Sequence, residues 1–388
     1  MKDIWKNLFK KIEPQKGLMS IGIADFLGSG LSAFFWFYIA AILTPESYGE
    51  IHYLISIAGI AQLFSLIGNS SVLTVYSAKK VNIESTLYIL SIIPTVISSI
   101  IIFILLQRAD VSTLLFGYII FESVNSVLLG RRLFNKYSKL VVLQKALTLL
   151  LGVGFYFVFG PEGILFGLSC SFIPYIYFFM KEFRKNKINF SLLKTRSGFI
   201  SNNYFNTLAG GFGGQIDKLI IAPILGFALL GNYSLALQFI SVMMIFSSIA
   251  FKFILPLDSA GKDTKGIKKF TIILSLIITI LGITLSPIII PEFFPEYVET
   301  IIAVQILSIS VFFGNLISIF SSKLLSEEKS KLILIANIVS VGIIVIGFIL
   351  LGPILGIVGL SIVHVIAIAI ESIILISNSK KRSHDERK

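Results

Sequence analysis

At 388 residues, 55% of them hydrophobic and only 14% charged, the chain lacks the composition of a water-soluble protein, in which about a quarter of residues carry charge. Uncharged apolar runs about 20 residues long fit membrane spans, leave room for roughly a dozen helices, and exclude a sizeable soluble domain. The net charge of +12 is scattered through short loops, so it reads as topology rather than a nucleic-acid surface; one cysteine, Cys170, and three dispersed histidines, His52, His364 and His384, argue against a disulfide framework or a zinc site.

Residues 1–16 carry Ile4, Trp5, Leu8, Phe9 and Ile12 on one helical face, with Lys6, Lys10 and Lys11 elsewhere, the pattern of a short helix lying in the cytoplasmic interface. The apolar run that follows exceeds a signal-peptide core and has no small-residue cleavage site, so it is expected to stay as the first span. Runs bounded by charge, Pro and Gly then place twelve spans near 17–43, 51–77, 83–106, 111–130, 139–159, 163–180, 199–223, 229–254, 268–290, 298–321, 331–351 and 354–377. Numbered in this order, alternate loops collect thirty of the 33 Lys and Arg residues on one side, and only Arg108 falls on the other. Both termini are therefore expected in the cytoplasm of a multi-pass protein of the cell membrane.

An ionisable side chain at a helix centre costs at least about 2.5 kcal/mol on insertion scales, which makes each one a functional candidate. The first span offers Asp25, Ser29 and Ser32; the second Gln62, Ser65 and Asn69; the fourth Glu122 and Asn125; the fifth Lys145 and Thr148. Lys145 lies close enough to Lys139 to snorkel toward the interface, so cavity lining and simple anchoring both stand. Arg131 and Arg132 mark the cytoplasmic end of the fourth span and serve topology or attract an anion. In the seventh span Asn203, Asn206, Gly210, Gly214 and Asp217 step by three or four along one face, beside Gln215 and Lys218. Gly210, Gly211, Gly213 and Gly214 make a bend there plausible; close packing of one helix on another is the competing reading. Asp217 and Lys218 are adjacent, hence about 100° apart on an ideal helix, and each is expected to need its own partner. Glu371, near the end of the last span, reads as interfacial.

Two landmarks recur. Ile42–Gly49 aligns with Ile224–Gly231 at an offset of 182, and Gly160-Pro161 with Gly167-Leu168-Ser169 aligns with Gly352-Pro353 and Gly359-Leu360-Ser361 at 192. They suggest two parallel six-helix repeats. The organisation expected is an interfacial helix at 1–16, an N-terminal lobe at 17–180, a basic connector at 181–198, a C-terminal lobe at 199–377 and a basic tail at 378–388.

Leu43-Thr44-Pro45-Glu46-Ser47-Tyr48-Gly49, Gln215-Ile216-Asp217-Lys218, Leu230-Gly231-Asn232-Tyr233-Ser234 and Pro295-Glu296-Tyr297-Val298 resemble the polysaccharide-biosynthesis flippases, the O-antigen and lipid-linked oligosaccharide translocases of the multidrug/oligosaccharidyl-lipid/polysaccharide (MOP) exporter superfamily. The resemblance spans nearly the whole chain. It implies an all-α membrane fold of two MATE-like six-helix lobes, with a central cavity opening alternately to each side. A polyprenyl-pyrophosphate-linked glycan would cross from the cytoplasmic to the outer leaflet, with acidic and basic groups at the positions of Asp217 and Lys218 lining the path. The chain departs from many relatives in having Asp25 where they carry arginines. The expected roles are Lys218, with Lys145, Arg131 and Arg132, drawing the pyrophosphate, while Asn, Gln and Ser side chains bond sugar hydroxyls. Partners are the lipid-linked glycan, membrane lipids and other polysaccharide-assembly proteins; no nucleic acid is implied.

No G-x-x-x-x-G-K-[ST] sequence occurs, so the chain is expected to need neither ATP nor another cofactor. Outward movement of an anion gains about 2.3 kcal/mol per charge per 100 mV from an inside-negative potential, and coupling to Na⁺ or H⁺ through Asp25, Glu122 or Asp217 is the alternative. A drug or metabolite antiporter of the same superfamily would share the fold. A membrane glycan polymerase would need a larger outward loop than 44–50 or 291–297 provides.

Overall fold

A computed structural model describes the backbone of residues 2–68, 70–185, 187–259 and 263–385, with side chains in those stretches apart from 2–19, 206, 209, 210, 256 and 380–385. Every regular element in it is helical. The expected interfacial helix at 1–16 and the calls on Asn69, Asn206 and Gly210 fall on residues whose side chains or placement lie outside that description.

The first half runs α1 (Lys2–Ile42), α2 (Pro45–Ser65), α3 (Ser70–Ala78), α4 (Glu84–Leu106), α5 (Ala109–Gly130), α6 (Phe134–Phe159), α7 (Pro161–Cys170), α8 (Ile173–Lys185) and the short α9 (Phe190–Lys194). The second runs α10 (Ser197–Gly211), a 3₁₀ turn at Phe212–Gly214, α11 (Ile216–Leu225), α12 (Phe227–Met243), α13 (Ile245–Ser259), α14 (Lys265–Phe293), α15 (Val298–Ser326) and α16 (Ser330–Asp385). Eight of the described helical segments are long and apolar enough to cross a membrane, and ten if the pairs α2–α3 and α12–α13, bent by 47° and 41°, each count as one span. The twelve expected spans each find a helical counterpart. The seventh, α10 to α11, is interrupted by its 3₁₀ turn. The last two share α16, where Gly356 leaves helical geometry at φ 55° and ψ −137°.

That break folds α16 back on itself. A methyl on Gly347 would lie 2.5 Å from Val363, and one on Gly359 2.6 Å from the Leu351 carbonyl oxygen, contacts that a straight rod could not make. The α6–α7 connection repeats the device at Gly160, φ 71°, ahead of Pro161 at the first helical position, with Gly163 against the Phe155 carbonyl and Gly167 against that of Leu151. The structural match thus pairs Gly160 with Gly356 and Gly163 with Gly359. Both stand at an offset of 196, which corrects the register of 192 read from the Gly-Pro pairs. The left-handed residues Arg132 and Glu328 that close α5 and α15 keep the same spacing. The repeat begins at 182 and ends at 196 because α14 and α15, 29 residues each, are longer than α4 and α5, at 23 and 22.

The chain forms two compact units. The first comprises residues Met1–Phe35 and Ile57–Leu208, the second Trp36–Ser56 and Ala209–Lys388. In unit 1 a core of Leu73, Leu87, Tyr88, Val127 and Tyr175 joins α3, α4, α5 and α8, with Tyr88 stacked on Phe179 at 4.3 Å. In unit 2 the last turns of α1, from Trp36, and the start of α2 pack with the helices that follow Ala209. Large apolar side chains such as Ile104, Phe157, Ile288 and Ile354 lie open on the outside of the helices, as a lipid-facing surface requires.

Candidate functional site

Unit 1 gathers the N-terminal candidates around α6. Tyr137, Val141 and Lys145 recur every four residues and share the face turned to α1. The Tyr137 hydroxyl donates to Asp25 Oδ1 at 3.3 Å, and a methyl on Gly28 would touch Lys145 Cγ at 3.4 Å and Val141 at 3.6 Å. Gly28, one turn beyond Asp25, therefore gives the Lys145 stem its bed. Among the described residues, Lys145 makes no hydrogen bond or ion pair. Glu122 on α5 lies beside Ser70, and its charge, like that of Asp25, reaches Tyr137. Asn125 is 6% exposed, and its Oδ1, like the nearby Tyr175 hydroxyl, is buried without a hydrogen-bond partner. Beside Lys145, Gln144 donates to Thr148 at 2.9 Å and to Ser171 at 3.0 Å. The structure thus brings Asp25, Glu122, Asn125 and Lys145 into one helical neighbourhood; Gln62 is half-buried on α2.

Arg131 is engaged elsewhere. Its guanidinium donates to Glu84 Oε1 at 2.9 Å and meets Glu182 at 2.7 Å, and Ser77 adds a hydrogen bond to Glu84 at 3.2 Å. Two carboxylates surround this cation, and Glu84 is 2% exposed. The clasp ties α3, α4, α5 and α8 together where the sequence suggested an anion trap. Arg132 next to it is exposed and holds the left-handed cap. Glu84 stood unremarked at a span boundary in the sequence; its signal was a carboxylate at the first turn of an apolar helix, which also suits the helix dipole.

Unit 2 holds Asp217 and Lys218, and here the geometry corrects the expectation that they need separate partners. Lys218 Nζ donates to Asp217 at 3.2 and 3.4 Å and to the Gly214 carbonyl at 3.1 Å, while the Lys218 backbone N–H donates to Asp217 Oδ1 at 2.8 Å. The 100° rule holds for rigid side chains inside a helix. Asp217 instead sits in the first turn of α11, where it turns back onto free N–H groups, and the flexible lysine stem curls to follow. The same break corrects the continuous polar stripe expected along the seventh span. Gly211 precedes the 3₁₀ turn at Phe212–Gly214, Gln215 caps α11 with φ −128°, and the turn carries Gly213 against Val341 of α16. Asn203, on the far side of the break in unit 1, spends its amide on the Phe199 carbonyl at 2.9 Å.

Of the three histidines, His384 lies outside the described side chains, while His52 and His364 share one charged neighbour. The charge of Lys218 acts on both His52 and His364, and Asp217 also reaches His364 and Tyr233. Tyr233 and His364 Nδ1 lie 3.0 Å apart in a hydrogen bond that joins α12 to α16. Glu371, expected at the interface, is only 7% exposed and lies beside Ser340 across the α16 hairpin. Asp217→Asn is expected to lower stability by about 1–3 kcal/mol by removing the carboxylate charge that neutralises Lys218, and adding Lys218→Met should recover most of the loss. Thermal unfolding of the detergent-purified single and double variants measures both effects.

No protein-family model matches the chain, and no curated protein matches it by sequence. Its fold is shared with solved structures. A multidrug resistance MATE family transporter of the MOP superfamily, in its inward-facing conformation, gives a TM-score of 0.72 at 16% identity, over 92% of this chain and 94% of that one. The lipid II flippase MurJ, in an inward closed conformation, gives 0.77 at 15% identity, over 93% and 87%. A MOP superfamily transporter from Pyrococcus furiosus, in which a reverse polarity of the binding pocket suggests a different function, gives 0.64 at 16% identity, over 97% of both. The chain is a multi-pass, all-helical membrane protein that shares its fold with these structures. These neighbours are transporters and flippases, not enzymes.

Proposed function

We propose that the protein is an alternating-access flippase that carries a polyprenyl-pyrophosphate-linked oligosaccharide, an O-antigen or other surface-polysaccharide unit, from the cytoplasmic to the outer leaflet. The observation that carries the reading is Lys145. It is a cation within a spanning helix, held against a glycine and, among the described residues, with no carboxylate bound to it, whereas Lys218 and Arg131 are already neutralised by Asp217 and by Glu84 with Glu182. An unpaired charge in a low-dielectric bundle is expensive unless something anionic visits it. A pyrophosphate supplies that partner, and the nearby Gln144, Thr148, Asn125 and Tyr137 supply donors and acceptors for sugar hydroxyls. The loops rich in Lys and Arg support a cytoplasmic position for both termini and an outward one for the Arg108 loop.

A second reading, an ion-coupled antiporter of cationic drugs or metabolites, draws on the Asp25–Tyr137 contact and on Glu122 beside it. Reconstitution into vesicles separates the two. The flippase reading expects a pyrophosphate-linked saccharide loaded on one leaflet to become accessible on the other, faster than a lipid with an uncharged headgroup. Movement of lipophilic cations against a proton or sodium gradient, with the pyrophosphate-linked lipid left in place, would replace it with the antiporter.

A further inference from the structure

The first landmark of the sequence repeat turns out to be a physical contact. Within unit 2 a methyl on Gly49 would collide with the Phe227 carbonyl oxygen and stand 2.8 Å from the Gly231 nitrogen; a methyl on Gly231 would collide with the Pro45 carbonyl oxygen and stand 2.7 Å from its carbon. Pro45 and Phe227 are themselves related by the offset of 182 that relates Gly49 to Gly231. The same contact is therefore made twice, reciprocally, by equivalent first turns of α2 and α12. Both helices begin at this point, so their backbones touch through Cα and carbonyl groups with no side chain between them.

The surroundings divide into ties and orphans. Tyr297 donates to the Leu43 carbonyl at 2.9 Å, and Thr300 donates to Asn232 at 2.9 and 3.1 Å, fastening the two first turns to the start of α15. Trp36 and Tyr48 pack their rings on His52 at 4.7 and 4.5 Å. Yet the Tyr48 hydroxyl, on a side chain 0% exposed, and His52 Nε2 are buried without a hydrogen-bond partner. Each such group costs about 1–3 kcal/mol, a penalty that sets the closed arrangement close to balance with one that wets these atoms.

We propose that Gly49 and Gly231 are the two halves of a side-chain-free latch that seals the outward end of the transport path and must part each time substrate leaves. The inference rests on the flippase reading for what passes, and on the loop charges for which end is outward, but the contact itself depends on neither. A glycine pair lets the seal form in one position only, since the carbonyls of Pro45 and Phe227 occupy the space of any β-carbon. The orphaned Tyr48 and His52 groups oppose it, so opening needs no large input.

The test uses the full-length protein with Cys170→Ser and a reporter at Ser234→Cys, a buried position one turn beyond Gly231 on α12. Gly49→Val and Gly231→Val are each expected to raise labelling by a membrane-impermeant maleimide, added outside, by at least about tenfold. The double variant should label no faster than either single one, because both remove one reciprocal contact. Properly folded valine variants that label at the parent rate, or only from the cytoplasmic side, would overturn the latch. A second pair, Glu46→Cys with Ala228→Cys, lies across the shallow crevice that borders the contact. Oxidation should join the two and halt translocation, with recovery on reduction; failure to cross-link, or unchanged transport once cross-linked, overturns the proposal. Labelling and cross-linking as expected in a protein that moves no lipid-linked saccharide would leave the latch standing and remove the substrate reading.

Discussion

Lys145→Ala is expected to slow translocation of a pyrophosphate-linked saccharide by roughly 10- to 100-fold, the kinetic equivalent of losing one hydrogen-bonded charge contact of about 1.5–3 kcal/mol. The side chain has no structural ion pair to lose, so the variant should fold and unfold much as the parent does. Lys145→Arg keeps the charge and should retain most of the rate, because the Gly28 position that leaves room for the Lys145 stem is unchanged. Lys145→Gln keeps length and polarity without charge and should behave like alanine. The measurement is leaflet exchange of the loaded lipid in reconstituted vesicles, beside thermal unfolding of each variant. A stable Lys145→Ala protein that moves the lipid at the parent rate would strip this residue of the role, and with it the main support for an anionic substrate.

Arg131→Met should act in the opposite way, on stability first. Glu84 is 2% exposed and Arg131 is the cation that compensates both it and Glu182, at 2.9 and 2.7 Å. Removing one member of a buried network strands the others, and such losses run to about 3–5 kcal/mol. The effect belongs to unit 1, because Ser77, Glu84, Arg131 and Glu182 all lie on its helices. A triple replacement, Arg131→Met with Glu84→Gln and Glu182→Gln, removes the stranded charges together and should recover most of the loss, whereas Arg131→Lys should recover only part because it cannot span both carboxylates. Unfolding midpoints for the three variants decide the matter: a small shift for Arg131→Met would show that the clasp is wet and that Arg131 is free to meet an anion after all.

These two lysine and arginine positions also show where reading the sequence stops. Span positions were legible because charge is excluded from long apolar runs and because Lys and Arg gather on one side, which is a property of composition along the chain. The repeat was legible at Gly49 and Gly231, where the backbone itself must pass and only glycine fits. It was misplaced by four residues at Gly160, because the matching Gly-Pro pair stands at Gly352 whereas the turn itself is at Gly356, followed by Ile357, and only the positive φ marks it. Which cation is free was not legible at all. Lys145, Lys218 and Arg131 look alike in a string of letters. Their difference lies in partners far away in sequence, Glu84 and Glu182 for Arg131, or in a helix start that lets Asp217 fold back toward its neighbour. The meeting of His52 with Lys218 in one field is likewise a product of tertiary packing.

The unequal lengths of the repeated helices carry a further consequence. At 1.5 Å per residue, α14 and α15 with 29 residues each measure about 44 Å, against about 35 Å for α4 and 33 Å for α5, while the hydrocarbon layer is about 30 Å thick. The longer pair must lean or protrude to fit, and how far it leans is set by the thickness of the lipid around it. Turnover should then vary with acyl-chain length, giving an optimum where hydrophobic mismatch is least.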